Sequence, residues 1–169
     1  TFAYIESGFD PNSNAASPNR AVGLFQFTPS TGRLYGLYSD GVDNRTDPEA
    51  STFAAAKYAE YNYGKLQSNG LADPSPFDLY MAHQQGVAGL LWQLGHQDTP
   101  ILDSPYANNI INNLPHGITK DMTVGQFIDG WKQRYDNIYE RYGKSLDSSC
   151  EPQWPDTFNL IAGSDQLPT

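Results

Sequence analysis

"FDLYMAHQQGVAGLLWQL", residues Phe77 to Leu94, decides the fold class. Wound at the helical period, this run is apolar nearly all round, and its Gly and Ala residues permit close packing. It reads as a central buried helix that can break at Gly86. Upstream, Asp47 or Thr46 can cap a helix over about residues 48–67, with Pro48 in its first turn and Glu49 favouring the dipole. Ala55, Tyr58, Ala59 and Asn62 recur on one face of it, and Gly70 follows. Pro29-Ser30-Thr31 can start another helical turn. Downstream, "SPYANNIINNLP" reads as a short helix ended by Pro115. Thr123 and Gln126 fit a capping box ahead of Phe127, Trp131, Tyr135, Ile138, Tyr139 and Tyr142. That aromatic stripe suits a core. Strand signals are weak throughout, so the class is all-α.

The 169 residues fit one domain with a real core, expected over residues 1–145. Residues 146–169 have no periodicity and read, with Pro152, Trp154, Pro155 and Phe158, as an extended strap or linker. Thr1 replaces an initiator Met, so we expect an N-terminus truncated from a larger protein. The net charge of −9, with scattered basic residues, disfavours a nucleic-acid partner, which needs clustered Lys and Arg. No apolar run approaches bilayer length, so no membrane partner is expected. The single cysteine, Cys150, excludes an internal disulfide and a Cys-based metal site. His83, His96 and His116 lack metal-ligand spacing, and no phosphate-binding loop occurs. Neither metal nor cofactor is expected.

"YIESGFDPNS", residues Tyr4 to Ser13, sets one carboxylate in an apolar, breaker-rich stretch. It reads as the last turn of a helix, with Gly8 as a left-handed cap and Pro11 barring continuation. A carboxylate at that end is mildly opposed by the helix dipole, yet Glu6 taken alone still reads as an ordinary surface residue near a helix end. Tyr4, Ile5, Phe9, Phe25 and Phe27 can wall it in. Burial of that kind raises a Glu above its usual value of about 4.3 and lets it hold a proton near neutrality.

"ESGFDP", "GLFQFTPST", "MAHQQG" and "SPYANNI" then follow in order a known motif series. They resemble the E-S-x-F-x-P, G-L-x-Q-x-x-P-x-T, A-Y-N-x-G and tyrosine blocks of the lytic transglycosylase (SLT) domain related to goose-type lysozyme. The resemblance spans about residues 1–115 and is most specific in the first two blocks. "DPEASTFAAAKY" is similar to the family's intervening helix. AHQQG in place of A-Y-N-x-G, followed by "TVGQFIDGW", is closest in pattern to phage virion or tail versions.

The resemblance implies a lysozyme-like helical domain with a groove between lobes, acting on peptidoglycan glycan strands without a cofactor. It implies that Glu6 protonates the oxygen between N-acetylmuramic acid and N-acetylglucosamine. Glu6 then takes the proton of the muramic C6 hydroxyl as a 1,6-anhydro ring closes. Ser7, Gly23, Gln26, Gln84 and Tyr106 are the implied substrate residues, with the Tyr106 hydroxyl orienting Glu6. Gln84 stands where the family has Asn, and His83 where it has Tyr; His83 reads as a satisfied buried histidine rather than a base. A goose-type hydrolase on the same bond and a non-catalytic glycan-binding virion domain are the alternatives. A hydrolase needs a second carboxylate, for which Asp10, Asp40, Asp43 and Asp47 are available; each fits turn or cap duty. The implied setting is a phage virion, endolysin or secreted protein acting in the periplasm or on the cell wall, beside other domains or virion proteins.

Overall fold

The computed structural model describes residues 1–144; the expected strap over 146–169, with Cys150, lies outside them. Among the described residues the helices are α1 (Phe2–Ser7), α2 (Pro29–Leu34), α3 (Pro48–Ser68), α4 (Pro76–Gln85), α5 (Val87–Gly95), α6 (Ala107–Ile111) and α7 (Val124–Ile138). A π-helical turn, Tyr139–Gly143, continues α7. Between α2 and α3, β1 (Tyr38–Ser39) pairs antiparallel with β2 (Val42–Asp43) in a minimal hairpin. This is the all-α class expected.

The caps explain where the long helices begin. The Asp47 carboxylate accepts from the Ala50 amide, and Pro48 takes a position whose N–H would be orphaned anyway. Thr123 and Gln126 cap each other's backbone at α7. Ser75 and Asp78 do the same at α4, a box the sequence reading passed over beside Pro74 and Pro76. The run from Phe77 to Leu94 is two helices. Gly86, at φ 76° and ψ 154°, turns the chain in a conformation that only glycine adopts easily.

Helices α3, α4, α5 and α7 enclose the main core, which includes Leu66, Tyr80, Met81, Leu90, Ile110, Phe127 and Trp131. A smaller cluster of Phe27, Leu37 and Ala54, flanked by Tyr35, Tyr38 and Tyr58, lies under the irregular segment. His83 joins the two. Its ring faces Phe2 at 6.2 Å on one side, and Phe27 at 6.0 Å and Tyr58 at 5.3 Å on the other.

The irregular segment is organised by Arg45, whose side chain is wholly buried. Its guanidinium donates to the carbonyls of Pro18 (2.5 Å), Arg20 (2.8 Å) and Phe27 (2.9 Å), and to the Asp43 carboxylate (2.7 Å). Arg45 holds the Asp43 carboxyl well below its usual range, at about 2. A buried charge survives only when paired and fully hydrogen-bonded, and here every donor direction meets backbone or carboxylate. Gly32 leaves the room required: a Cβ there would lie 2.9 Å from the Arg45 Cδ.

Candidate active site

Glu6 occupies the last turn of α1, which Gly8 closes in the left-handed conformation (φ 64°) as the sequence suggests. The carboxyl is largely buried against α4, and burial raises it from its ordinary value of 4.5 to about 7. Two interactions oppose the rise, a hydrogen bond from the Tyr80 hydroxyl and the more distant Arg134 guanidinium of α7. A group balanced near 7 is populated in both protonation states at neutral pH.

The surroundings differ from the expected ring wall. Two residues along a helix are about 200° apart, so Tyr4 points away from Glu6. Tyr4 packs instead on Phe9 (5.5 Å between ring centres) and Tyr142 (4.3 Å). Phe27 belongs to the smaller core, and Phe25 contributes its carbonyl, which pairs with His83 Nε2 at 3.1 Å. Desolvation keeps His83 below its ordinary value, so the imidazole is neutral and donates from Nε2 to that carbonyl. Tyr80, which is itself fully buried, acts directly on the Glu6 carboxyl.

Tyr80 was not among the expected site residues. A tyrosine in an apolar helix reads as core, yet a buried hydroxyl needs a partner. Gln84, one turn on along α4, supplies half of it by donating from Nε2 to the Tyr80 hydroxyl at 3.0 Å. The hydroxyl hydrogen is therefore free to go to Glu6. Thus Tyr80 brings Glu6 and Gln84 together. Tyr106 lies elsewhere, with its ring on α5, 5.8 Å from Trp92 and against Gly89. Of the two tyrosines, Tyr80 is the one whose hydroxyl acts on the Glu6 carboxyl in this structure.

Gly23 and Gln26 form the ends of a tight turn closed by an antiparallel bridge between Val22 and Phe27. The Gln26 side chain donates to the Gly23 carbonyl at 2.8 Å and accepts from Asn14 at 2.7 Å. Gly23 (φ 81°) sits on the Arg45 carbonyl, where a Cβ would come within 2.0 Å. Its missing side chain thus admits the protein's own backbone. Ser7 donates to the carbonyls of Ala3 (2.9 Å) and Leu24 (3.1 Å). It ties the Glu6 helix to the turn.

Three of the four possible second carboxylates have structural tasks, and the fourth, Asp40, is exposed at the left-handed position (φ 50°) of the turn between β1 and β2. Asp43 binds Arg45, Asp47 caps α3, and Asp10 accepts from the Asn12 amide at 2.9 Å. A groove of about 410 Å³ runs between α2, α3 and α5, lined by Tyr35, Tyr58, Tyr61 and Asn62 among others. Tyr58 connects it through His83 to Phe2, one turn before Glu6. A larger depression, about 560 Å³ beside Ile118 and Asp136, contains none of the expected site residues. Among the described residues no cluster of three or more His, Cys, Asp or Glu could hold a metal. No helix among them is long and apolar enough to cross a membrane.

Curated proteins are similar over part of the chain. Membrane-bound lytic murein transglycosylase D of Escherichia coli K12 is 50% identical over 52 residues, which is 30% of this chain and 11% of that protein. The protein of the same name in Escherichia coli O6:H1 matches to the same extent. The match thus spans about a tenth of the length of these relatives. No solved structure matches. The Transglycosylase SLT domain family matches residues 1–94, more than half of the chain, which takes in Glu6, Tyr80 and Gln84. The chain belongs to the Transglycosylase SLT domain family.

Proposed function

We propose that the chain is a peptidoglycan lytic transglycosylase that cleaves the β-1,4 bond between N-acetylmuramic acid and N-acetylglucosamine. The observation that carries this reading is a single largely buried carboxyl, Glu6, raised to about 7 and oriented by Tyr80. The similarity to lytic murein transglycosylase D supports the substrate class and action on the cell wall. A phage virion or endolysin setting rests on the sequence pattern alone.

In this mechanism the Glu6 carboxyl gives its proton to the glycosidic oxygen as the bond from that oxygen to muramic C1 breaks. The substrate's own acetamido oxygen shares the positive charge left on C1. Glu6, now a carboxylate, accepts the proton of the muramic C6 hydroxyl while that oxygen bonds to C1. The products are an N-acetylglucosamine chain end and a 1,6-anhydro ring, and Glu6 is protonated again. The Tyr80 hydroxyl stabilises the carboxylate between the two proton transfers and fixes its rotamer throughout. Gln84 and the amide of Gln26 are the groups assigned to the sugar substituents, and Ser7 and Gly23 hold the turn that carries Gln26.

A hydrolase would need another carboxylate to activate water. Asp10, Asp43 and Asp47 are each engaged by the backbone or by Arg45, and Asp40 sits exposed in the β1–β2 turn, which favours the anhydro product. Digestion of purified sacculi followed by mass spectrometry of the muropeptides tests the reading. Anhydro-muropeptides are expected from the parent and should be lost in Glu6→Gln. Reducing ends would mean a hydrolase, and no soluble products a glycan-binding domain without turnover.

A further inference from the structure

Behind Glu6 lies a chain of side-chain amides, two of which, Gln85 and Gln93, the proposed mechanism does not use. Gln93 of α5 is fully buried, and its Nε2 donates to Gln85 Oε1 at 3.1 Å. Gln85, also buried, donates from Nε2 to Gln84 Oε1 at 3.0 Å. Gln84 donates to the Tyr80 hydroxyl, which lies beside the Glu6 carboxyl and interacts with it electrostatically. Every donor in the series points the same way, towards Glu6.

A primary amide can turn end for end, which would reverse its hydrogen bonds. In this series each member fixes the next. With Gln93 donating, Gln85 must offer its oxygen to Gln93 and its N–H₂ to Gln84. Gln84 must then turn its own N–H₂ to Tyr80, whose oxygen is thereby occupied as an acceptor. The Tyr80 hydrogen is left for Glu6. Hydrogen bonds aligned head to tail polarise one another, and this alignment sets the positive end of each dipole towards the carboxylate.

Packing alone does not account for Gln93. Its Oε1 is buried with no partner among the described residues. An apolar side chain of the same length would avoid the desolvation cost of an unpaired amide oxygen. The break at Gly86 is what lets α5 fold back on α4, so that Gln93 meets Gln85 eight residues away.

We propose that Gln85 and Gln93 are positioning residues, a buried amide relay that aims the Tyr80 hydroxyl at Glu6 and stabilises its carboxylate form. The role rests on the transglycosylase reading of Glu6. The other groups acting on Glu6 are Tyr80, which heads the relay from α4, and Arg134, which acts separately from α7. His83, also on α4, is neutral and committed to the Phe25 carbonyl.

The test is a carboxyl-carbon NMR titration of Glu6 in the intact chain, which needs no substrate. The parent is compared with Gln93→Met, Gln85→Met and Tyr80→Phe. The relay predicts an upward shift in all three, largest for Tyr80→Phe and on the order of half a pH unit for the two glutamine variants. Gln93→Met should leave the melting temperature nearly unchanged, because it removes the unpaired Gln93 oxygen but strands that of Gln85. Its kcat on sacculi should fall roughly three- to tenfold, the size of one lost hydrogen bond, with KM little changed. A Glu6 titration unmoved in both glutamine variants while Tyr80→Phe shifts it would overturn the relay, since orientation would end at Tyr80. If one glutamine variant does not fold, the other carries the same prediction. A parent that releases no anhydro products would defeat the functional reading instead, and the titration would still decide the relay.

Discussion

The main core is filled by Leu66, Met81, Leu90, Ile110 and Phe127, while the largest fully buried side chain under residues 10–47 is Arg45. The helical body is held by apolar area removed from water. The irregular segment has a small apolar cluster and is held by a charge whose hydrogen bonds gather three distant carbonyls. The site takes something from each. The body supplies Glu6, Tyr80 and Gln84 in a packed setting that sets acidity, and the segment supplies the Gly23–Gln26 turn. A polar region can therefore be as fixed as an apolar one, but it fails differently, through unpaired groups rather than cavities.

Removing Arg45 gives the largest expected effect. Arg45→Met strands Asp43 and the carbonyls of Pro18, Arg20 and Phe27, at a cost of about 3–5 kcal/mol in denaturant unfolding. Hydrogen exchange should speed first at amides of residues 20–47 while α4 and α7 stay protected. Equal loss of protection in both regions would erase the distinction between them.

Next in size is the pH dependence that Glu6 imposes on the body. Its folded value of about 7 lies above the ordinary 4.5, so between those values the folded state binds more protons than the unfolded chain. Stability therefore falls as pH rises through that window, by up to about 3 kcal/mol. Glu6→Gln should raise the melting temperature at pH 8 and leave it nearly unchanged at pH 4. An equal effect at both pH values would mean that the carboxyl is not held protonated by burial.

The smallest effect belongs to the clasp between the regions. His83→Phe keeps a ring among Phe2, Phe27 and Tyr58 but loses the donor to the Phe25 carbonyl, costing about 1 kcal/mol at pH 8. His83 is held below its ordinary value, so the unfolded chain takes up a proton first as pH falls. The parent accordingly loses stability below about 6.5, and the variant does not. The gap between their melting temperatures should narrow by pH 5. A constant gap would mean that burial does not lower His83 in the folded state.

The helices were legible because their signals are local. Asp47 before Pro48, Thr123 three before Gln126, and Gly8 and Gly86 each act on the next few backbone groups. Glu6 was legible as an acid at a helix end with a motif series behind it. Its neighbours were not. Tyr4 and Phe9 are close in sequence but on the far side of α1, whereas Tyr80 arrives from a helix seventy-four positions away. Arg45 was passed over within Asn44-Arg45-Thr46 because its partners are mostly backbone carbonyls, which leave no mark in a sequence. Tyr106 and Tyr80 are alike as letters; only the chain path decides which reaches the acid.

The central claim is that one carboxyl, Glu6, serves as acid and then as base, with the sugar's own hydroxyl in place of water. Digesting sacculi in heavy-oxygen water and weighing the new muramic ends tests it most directly. The account predicts anhydro ends that carry no heavy oxygen and that vanish in Glu6→Gln. Reducing ends bearing the label, or anhydro ends that persist in Glu6→Gln, would contradict it.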